Sequence, residues 1–295
     1  FVINTYNLVL GESAEVFGDM TNTSNDVTNP VWTDSKFISN DDGLSGGFVV
    51  KEISTTPVFP DDIYFPVGTS VGSAGSYTPS QVTIKTGTTV NPGAELRIKP
   101  VPLEHPYVEY EDVSLIKFWI FETSQLDISG GTADVRFWYV DTEVSGTEPD
   151  YEVLYYSPSL DPNGIWEINP GSSMGVDDPI NRFYAFDISE IDGDWTAGER
   201  RAAQAEYWSI ANGNYSDPST WSRDSYGGPP SPDAPHKPTD IVHIGDNKEV
   251  TLNSAPSSSV SSMLIELEDP ANPGVEVPGT FTIAGDYVIT GDSLK

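Results

Sequence analysis

Carboxylates dominate the chemistry open to this chain. Asp and Glu number 45 against 14 Lys and Arg, a formal net charge of −31. Among them, Asp161-Pro-Asn-Gly164 followed by Glu167 sets oxygen ligands around a tight turn, which is what a hard divalent cation needs. Calcium is therefore the cofactor to expect, as a structural ion held by Asp161, Asn163 and Glu167. The loop is not a complete EF-hand, because Ile165 stands at the third acidic position. Asn40-Asp-Asp-Gly43 and Asp192-Gly-Asp194 are similar. The competing explanation is that Asp, Asn and Gly favour turns for backbone reasons alone.

Signals for covalent or metal-assisted catalysis are weak. Gly68-Thr-Ser-Val-Gly72 fits the nucleophile-elbow pattern, but that device needs a helix after the turn and a Gly/Ser-rich loop follows. Gly291-Asp-Ser-Leu294 matches a short esterase signature without the domain such a signature opens. The three histidines, His105, His236 and His243, are isolated from one another, and none has the i, i+4 spacing that puts two ligands on one helix face. By alternation His243 should face solvent. A glycosidase needs two acids across a cleft, and with carboxylates this abundant any pairing arises by chance.

The charge balance repels phosphate backbones and anionic lipid, so neither nucleic acid nor a membrane surface is an expected partner. Divalent cations are attracted. Cysteine is absent, which removes disulfides, thiol catalysis and Cys-ligated zinc. No apolar run approaches the roughly 18 residues of a membrane span. Residue 1 is Phe rather than Met, so the N-terminus is expected to be processed or internal to a longer chain.

The elements that would position these residues are strands. Period-2 alternation recurs in Gln81–Lys85, Glu95–Lys99 and Asp134–Val140, with Val135, Phe137 and Tyr139 on one face. Val113–Glu122 is nearly continuous apolar, as in a strand covered on both sides. Gly130-Gly131, Asp161–Gly164, Asn169–Gly171 and Asp192-Gly193 punctuate the runs. Only Glu199–Glu206 is rich in helix formers, and it is too short to stand alone. The fold class is all-β: a β-sandwich over 51–205, flanked by β-solenoid segments. Residues 1–50, with short strands at Asn7–Leu10, Ala14–Phe17 and Lys36–Ser39, read as the end of a preceding solenoid or as the first sandwich strands. Residues 206–295 read as the start of a second, truncated solenoid. The five prolines of Tyr226–Pro238 make a rigid extended loop at its entrance.

Two motifs carry a resemblance. Tyr207-Trp-Ser, Asn212-Gly-Asn214, Thr220-Trp-Ser222, Asp240-Ile-Val-His-Ile244 and Val250-Thr-Leu252 resemble the opening of β-solenoid segments in large repetitive cell-surface proteins of the Bacteroidetes, the gliding-motility adhesins and other type IX secretion cargo; Tyr215 stands where Trp is usual. Gly46-Gly-Phe-Val-Val-Lys51, Tyr64-Phe-Pro-Val-Gly68 and Tyr77–Ile84 resemble the module that follows such solenoids. The resemblance implies a structural or adhesive segment of a long extracellular protein on the bacterial outer surface. Its partners would be neighbouring repeats of the same chain, surface polysaccharide, or secretion and motility machinery. Tyr207, Trp208, Tyr215 and Trp221 would then cap the solenoid, since a solenoid end exposes apolar core; the functional alternative is a sugar-stacking platform. The rival class is a secreted polysaccharide-binding or polysaccharide-degrading protein with a groove near Trp119, Trp138 and Trp166.

Overall fold

The computed structural model describes residues 2–14, 38–40, 43–69, 76–159, 164–236, 240–245, 248–252, 264–268 and 280–283. The expected Ala14–Phe17 strand, the loop of the elbow-like motif, the Gly291–Leu294 signature and two of the three calcium candidates, Asp161 and Asn163, lie outside them. The chain divides into two compact units, 1–202 and 203–295. The second boundary falls three residues before the one the sequence suggests.

The first unit is built from strands β1 (Leu8–Leu10), β2 (Ile38–Ser39), β3 (Val49–Glu52), β4 (Asp61–Phe65), β5 (Val67–Thr69), β6 (Ser76–Tyr77), β7 (Ser80–Ile84), β8 (Thr89–Val101), β9 (Phe118–Asp127), β10 (Ala133–Trp138), β11 (Tyr151–Ser157), β12 (Ile165–Ile168), β13 (Ser173–Asp177), β14 (Arg182–Ile188) and β15 (Gly193–Glu199). Helical geometry among the described residues is confined to three-residue 3-10 turns. Glu199–Glu206 accordingly splits into a strand end, a 3-10 turn at Arg200–Ala202 and the start of another strand.

A seven-stranded sheet runs β1-β3-β8-β9-β15-β11-β12 and a five-stranded sheet runs β13-β14-β10-β7-β4. Their inner faces share one apolar cluster, giving a sandwich-like body. Alternation delivers it: Val135, Phe137 and Tyr139 are all buried, as the period-2 pattern requires. Phe137 is the hub, stacked on Phe183 at 4.7 Å and in ring contact with Trp119, Phe121 and Trp195. β9 is covered on both sides. Trp119 and Phe121 enter the main core, while Phe118 and Ile120 pack with Val101 on the other face.

The N-terminal residues join this unit through parallel pairing. β1 pairs in parallel with β3, Leu8 opposite Val49 through Leu10 opposite Lys51. β2 pairs in parallel with β5 in a third sheet, β2-β5-β6. Gly47 has to be glycine here: a Cβ would lie 2.0 Å from the carbonyl oxygen of Tyr6, and its N–H donates to Asn4 O at 2.6 Å. The Gly-Gly-Phe motif thus marks a place where two backbones touch.

The second unit contains β16 (Glu206–Ser209), β17 (Gly213–Asn214), β18 (Trp221–Ser222), β19 (Ile241–Gly245), β20 (Glu249–Leu252), β21 (Leu264–Glu268) and β22 (Thr280–Ile283). β16, β19 and β21 form a parallel, in-register stack, with Tyr207 opposite Val242 and Val242 opposite Ile265. β17, β20 and β22 form a second parallel stack. β18 pairs antiparallel on the free side of β16. The Pro-rich loop then covers β18, since the Ser231 N–H donates to Trp221 O at 2.7 Å.

Candidate functional site

The four aromatics singled out at the opening of the second unit separate into two groups. Tyr207 and Trp221 are fully buried and Tyr215 is 3% exposed; with Val242, Ile244 and Val250 they make the core of this unit. The Trp221 indole N–H donates to Tyr215 O at 2.8 Å, and the Tyr207 hydroxyl donates to Asp233 at 3.2 Å. Rings enclosed this way have no face left for a sugar. Trp208 points the other way and is half-buried, its ring lying flat on the His243 imidazole with an interplanar angle of 7°. This cover overturns the expectation that His243 faces solvent: it is only 7% exposed, and it also contacts Glu206 at 3.2 Å.

Trp119, Trp138 and Trp166 do not share a groove. Trp119 sits in the core between the sheets, and Trp166 packs against His105 and Tyr156. Trp138 lies on the outer face of the five-stranded sheet, under Arg182. All three are at most 5% exposed.

Among the described residues no group of three or more His, Asp or Glu side chains is arranged to hold a metal ion. Glu167 lies on β12 opposite Tyr155 and lines a small recess with Asp187 and Glu190. Asp192 and Asp194 diverge in environment. Asp194 is completely buried: it accepts the His105 Nε2–H at 3.0 Å on one oxygen and the Ser159 hydroxyl on the other. Asp192 lines a cavity of about 380 Å³ with Glu122, Thr123, Ser159 and Glu190. Burial pushes its carboxyl above the usual carboxylate range, against the lowering bond from Thr123. Among the described residues no Arg or Lys lines this cavity to stabilise developing negative charge.

The order of contacts in Ser159–Asp194–His105 rules out a nucleophilic triad. There the imidazole must stand between hydroxyl and carboxylate. Here the carboxylate stands in the middle, so Ser159 has no base. His105 Nδ1 accepts the Tyr107 N–H at 3.3 Å, which fixes the proton on Nε2. The ring is packed by Phe118, Tyr156 and Trp166, each at 4.7–4.8 Å. This cluster braces the loop over the outer face of the seven-stranded sheet.

An outward-facing constellation escaped the sequence reading. On the outer side of the five-stranded sheet, the Arg182 guanidinium lies 6.0 Å from the Trp138 ring centre and 5.4 Å from that of Tyr184. Tyr184 stacks on Phe186 at 4.7 Å, and Arg136 covers Phe186 at 4.6 Å. The result is a continuous ladder of rings and guanidiniums on a strongly acidic chain. Strand alternation carries the signal: Phe183 and Ala185 face in, so Arg182, Tyr184 and Phe186 face out.

Comparison with family models, with curated proteins and with solved structures finds no match to this chain.

Proposed function

We propose that this chain is a structural and adhesive segment of a long extracellular cell-surface protein, of the kind that the Bacteroidetes export as type IX secretion cargo and use as gliding-motility adhesins. The observation that carries the reading is the second unit's pair of parallel, in-register stacks. Each turn of chain contributes one strand to each stack, which is how a β-solenoid grows. On this reading β18 and the aromatics Tyr207, Tyr215 and Trp221 close the first coil, plugging apolar surface that would otherwise be open. The charge of −31 supports it too, since self-repulsion keeps a long array soluble and extended. Neighbouring repeats would continue the stacks.

The test is surface shaving. Intact producing cells are treated with protease, and the chain is followed by antibody alongside the size of its parent polypeptide. Loss of signal from a very large parent supports the reading. A protected or short parent sinks it.

A second reading, polysaccharide binding, is favoured by the ladder of Trp138, Arg182, Tyr184, Phe186 and Arg136. Stacked rings with guanidinium donors suit sugar faces and their hydroxyls or carboxylates. Affinity electrophoresis in gels of neutral and uronic-acid polysaccharides, with Phe186→Ala and Arg136→Ala as controls, tests it: retardation lost in both variants supports the reading, and no retardation of the wild type ends it.

Structural calcium at Asp161, Asn163 and Glu167 belongs to the same proposal. A rise in melting temperature with millimolar calcium, abolished in Asp161→Ala and not reproduced by sodium at equal ionic strength, is the result it requires.

A further inference from the structure

One deeply enclosed lysine–glutamate contact among the described residues has no part in the reading above. Lys117 immediately precedes β9, inside the run Leu115-Ile-Lys-Phe-Trp-Ile-Phe121, and is 0% exposed. Its Nζ meets Oε1 of Glu143, which is 5% exposed and sits in the 3-10 turn after β10. The amine also donates to Thr78 Oγ1 at 2.9 Å and lies 6.0 Å from the Trp119 ring centre. The second carboxyl oxygen of Glu143, Oε2, accepts the Val140 N–H at 3.2 Å. The pair joins the residues entering β9 to the turn that leaves β10, where the Ile116 N–H also donates to Glu143 O at 2.8 Å.

From this arrangement we infer that Lys117 and Glu143 condense into an intramolecular isopeptide bond. An amine and a carboxyl held in contact react as if at an effective concentration of about 10⁵–10⁸ M. In water both are charged and inert toward each other. Buried, the ion pair loses the solvation that keeps it ionised, and a proton passes from Nζ to Oε1 to give a neutral amine and a neutral acid. Desolvation does lower the readiness of the Lys117 amine to hold its proton, with the Glu143 charge opposing.

The nitrogen lone pair then attacks Cδ of Glu143. The Cδ–Nζ bond forms, the Cδ–Oε1 bond breaks, and Oε1 departs as water with its own proton and one from the amine. No oxidant or further reactant enters. The retained oxygen is Oε2, already polarised by the Val140 N–H, which stands where charge develops on it during attack. The product amide keeps one N–H, and Thr78 is in place to accept it. The bond would supply, in a chain with no cysteine, a covalent tie between the start of β9 and the turn after β10, of the kind that a disulfide gives other proteins.

Mass spectrometry of the purified wild-type chain decides the matter. The expected intact mass is one water below that of the sequence. In a tryptic digest, Lys117 should resist cleavage and the 98–136 segment should appear joined to 137–182 as one branched peptide. An intact mass equal to the sequence, or free cleavage after Lys117, overturns the proposal. Loss of water can also arise from imide formation at Asp-Gly pairs. A deficit that persists in Lys117→Met, or that maps to such a pair, therefore overturns it as well. Should that variant not fold, the wild-type branched peptide still gives the answer.

Discussion

The His105 imidazole and the Asp194 carboxylate are 89 residues apart in sequence and 3.0 Å apart in space, with no solvent on either side chain. The strand residue is fixed by β15, and the loop residue comes to it. Replacing Asp194 by Ala would orphan the His105 N–H and the Ser159 hydroxyl together. The fully buried His105 donor left unsatisfied costs about 1–3 kcal/mol, and the partly buried Ser159 hydroxyl, which lines the cavity, less. The urea midpoint should fall accordingly, while Ser159→Ala, which removes a donor and leaves none stranded, should cost clearly less.

Gly47→Ala tests the backbone contact with Tyr6. The added methyl has to displace a carbonyl at 2.0 Å, and overpacking of this kind costs about 1–3 kcal/mol. Thermal unfolding of the variant should show the loss. An unchanged melting temperature would mean that the N-terminal strands are not docked as described.

Trp221 and Trp208 are neighbours across the β16–β18 pair with opposite destinies. Trp221→Ala empties the core of the second unit and should cost about 3–5 kcal/mol. Trp208→Ala removes a half-buried outer ring and should cost much less, with the larger effect falling on the His243 environment, readable in its imidazole proton shifts.

Asp192 gives a pH signature. Its folded pKa is raised by burial, so ionising it opposes folding. Its contribution to stability is fully present below the unfolded value of about 3.9 and is lost as pH rises through the higher folded value. Asp192→Asn should remove this loss. The difference in urea midpoint between variant and wild type should therefore grow in the variant's favour from pH 4 toward neutrality; a constant difference would refute the assignment.

Strand identity was legible because alternation is a local property. Val135, Phe137 and Tyr139 share a face whatever packs on it; the nearly continuous apolar run Val113–Glu122 reads like a strand covered on both sides, and its second half, from Phe118, is the start of that strand, β9. Side-chain pairing was not legible. His105 lies beside a proline in what reads as a surface loop, and nothing local says that the loop folds down onto Phe118 and Asp194. Lys117 offered more: a lone cation in an apolar run demands a buried partner. Its partner, Glu143, could not be picked out from among 45 carboxylates. The stacking reading for Tyr207, Tyr215 and Trp221 had no local arbiter either, because an aromatic serves equally as plug and platform until its burial is known.

The parallel pairing of β1 with β3 sets how this unit would respond to pulling. Tension entering from the N-terminal side runs along the strand axis. With the two strands parallel, it loads the bonds of all three register pairs, Leu8–Val49, Val9–Val50 and Leu10–Lys51, in shear rather than peeling them one at a time. The β2–β5 pair repeats the geometry one sheet over. A clamp of this kind holds until its bonds fail together, so the first event in a single-molecule extension trace should be one sharp rupture rather than a gradual unravelling.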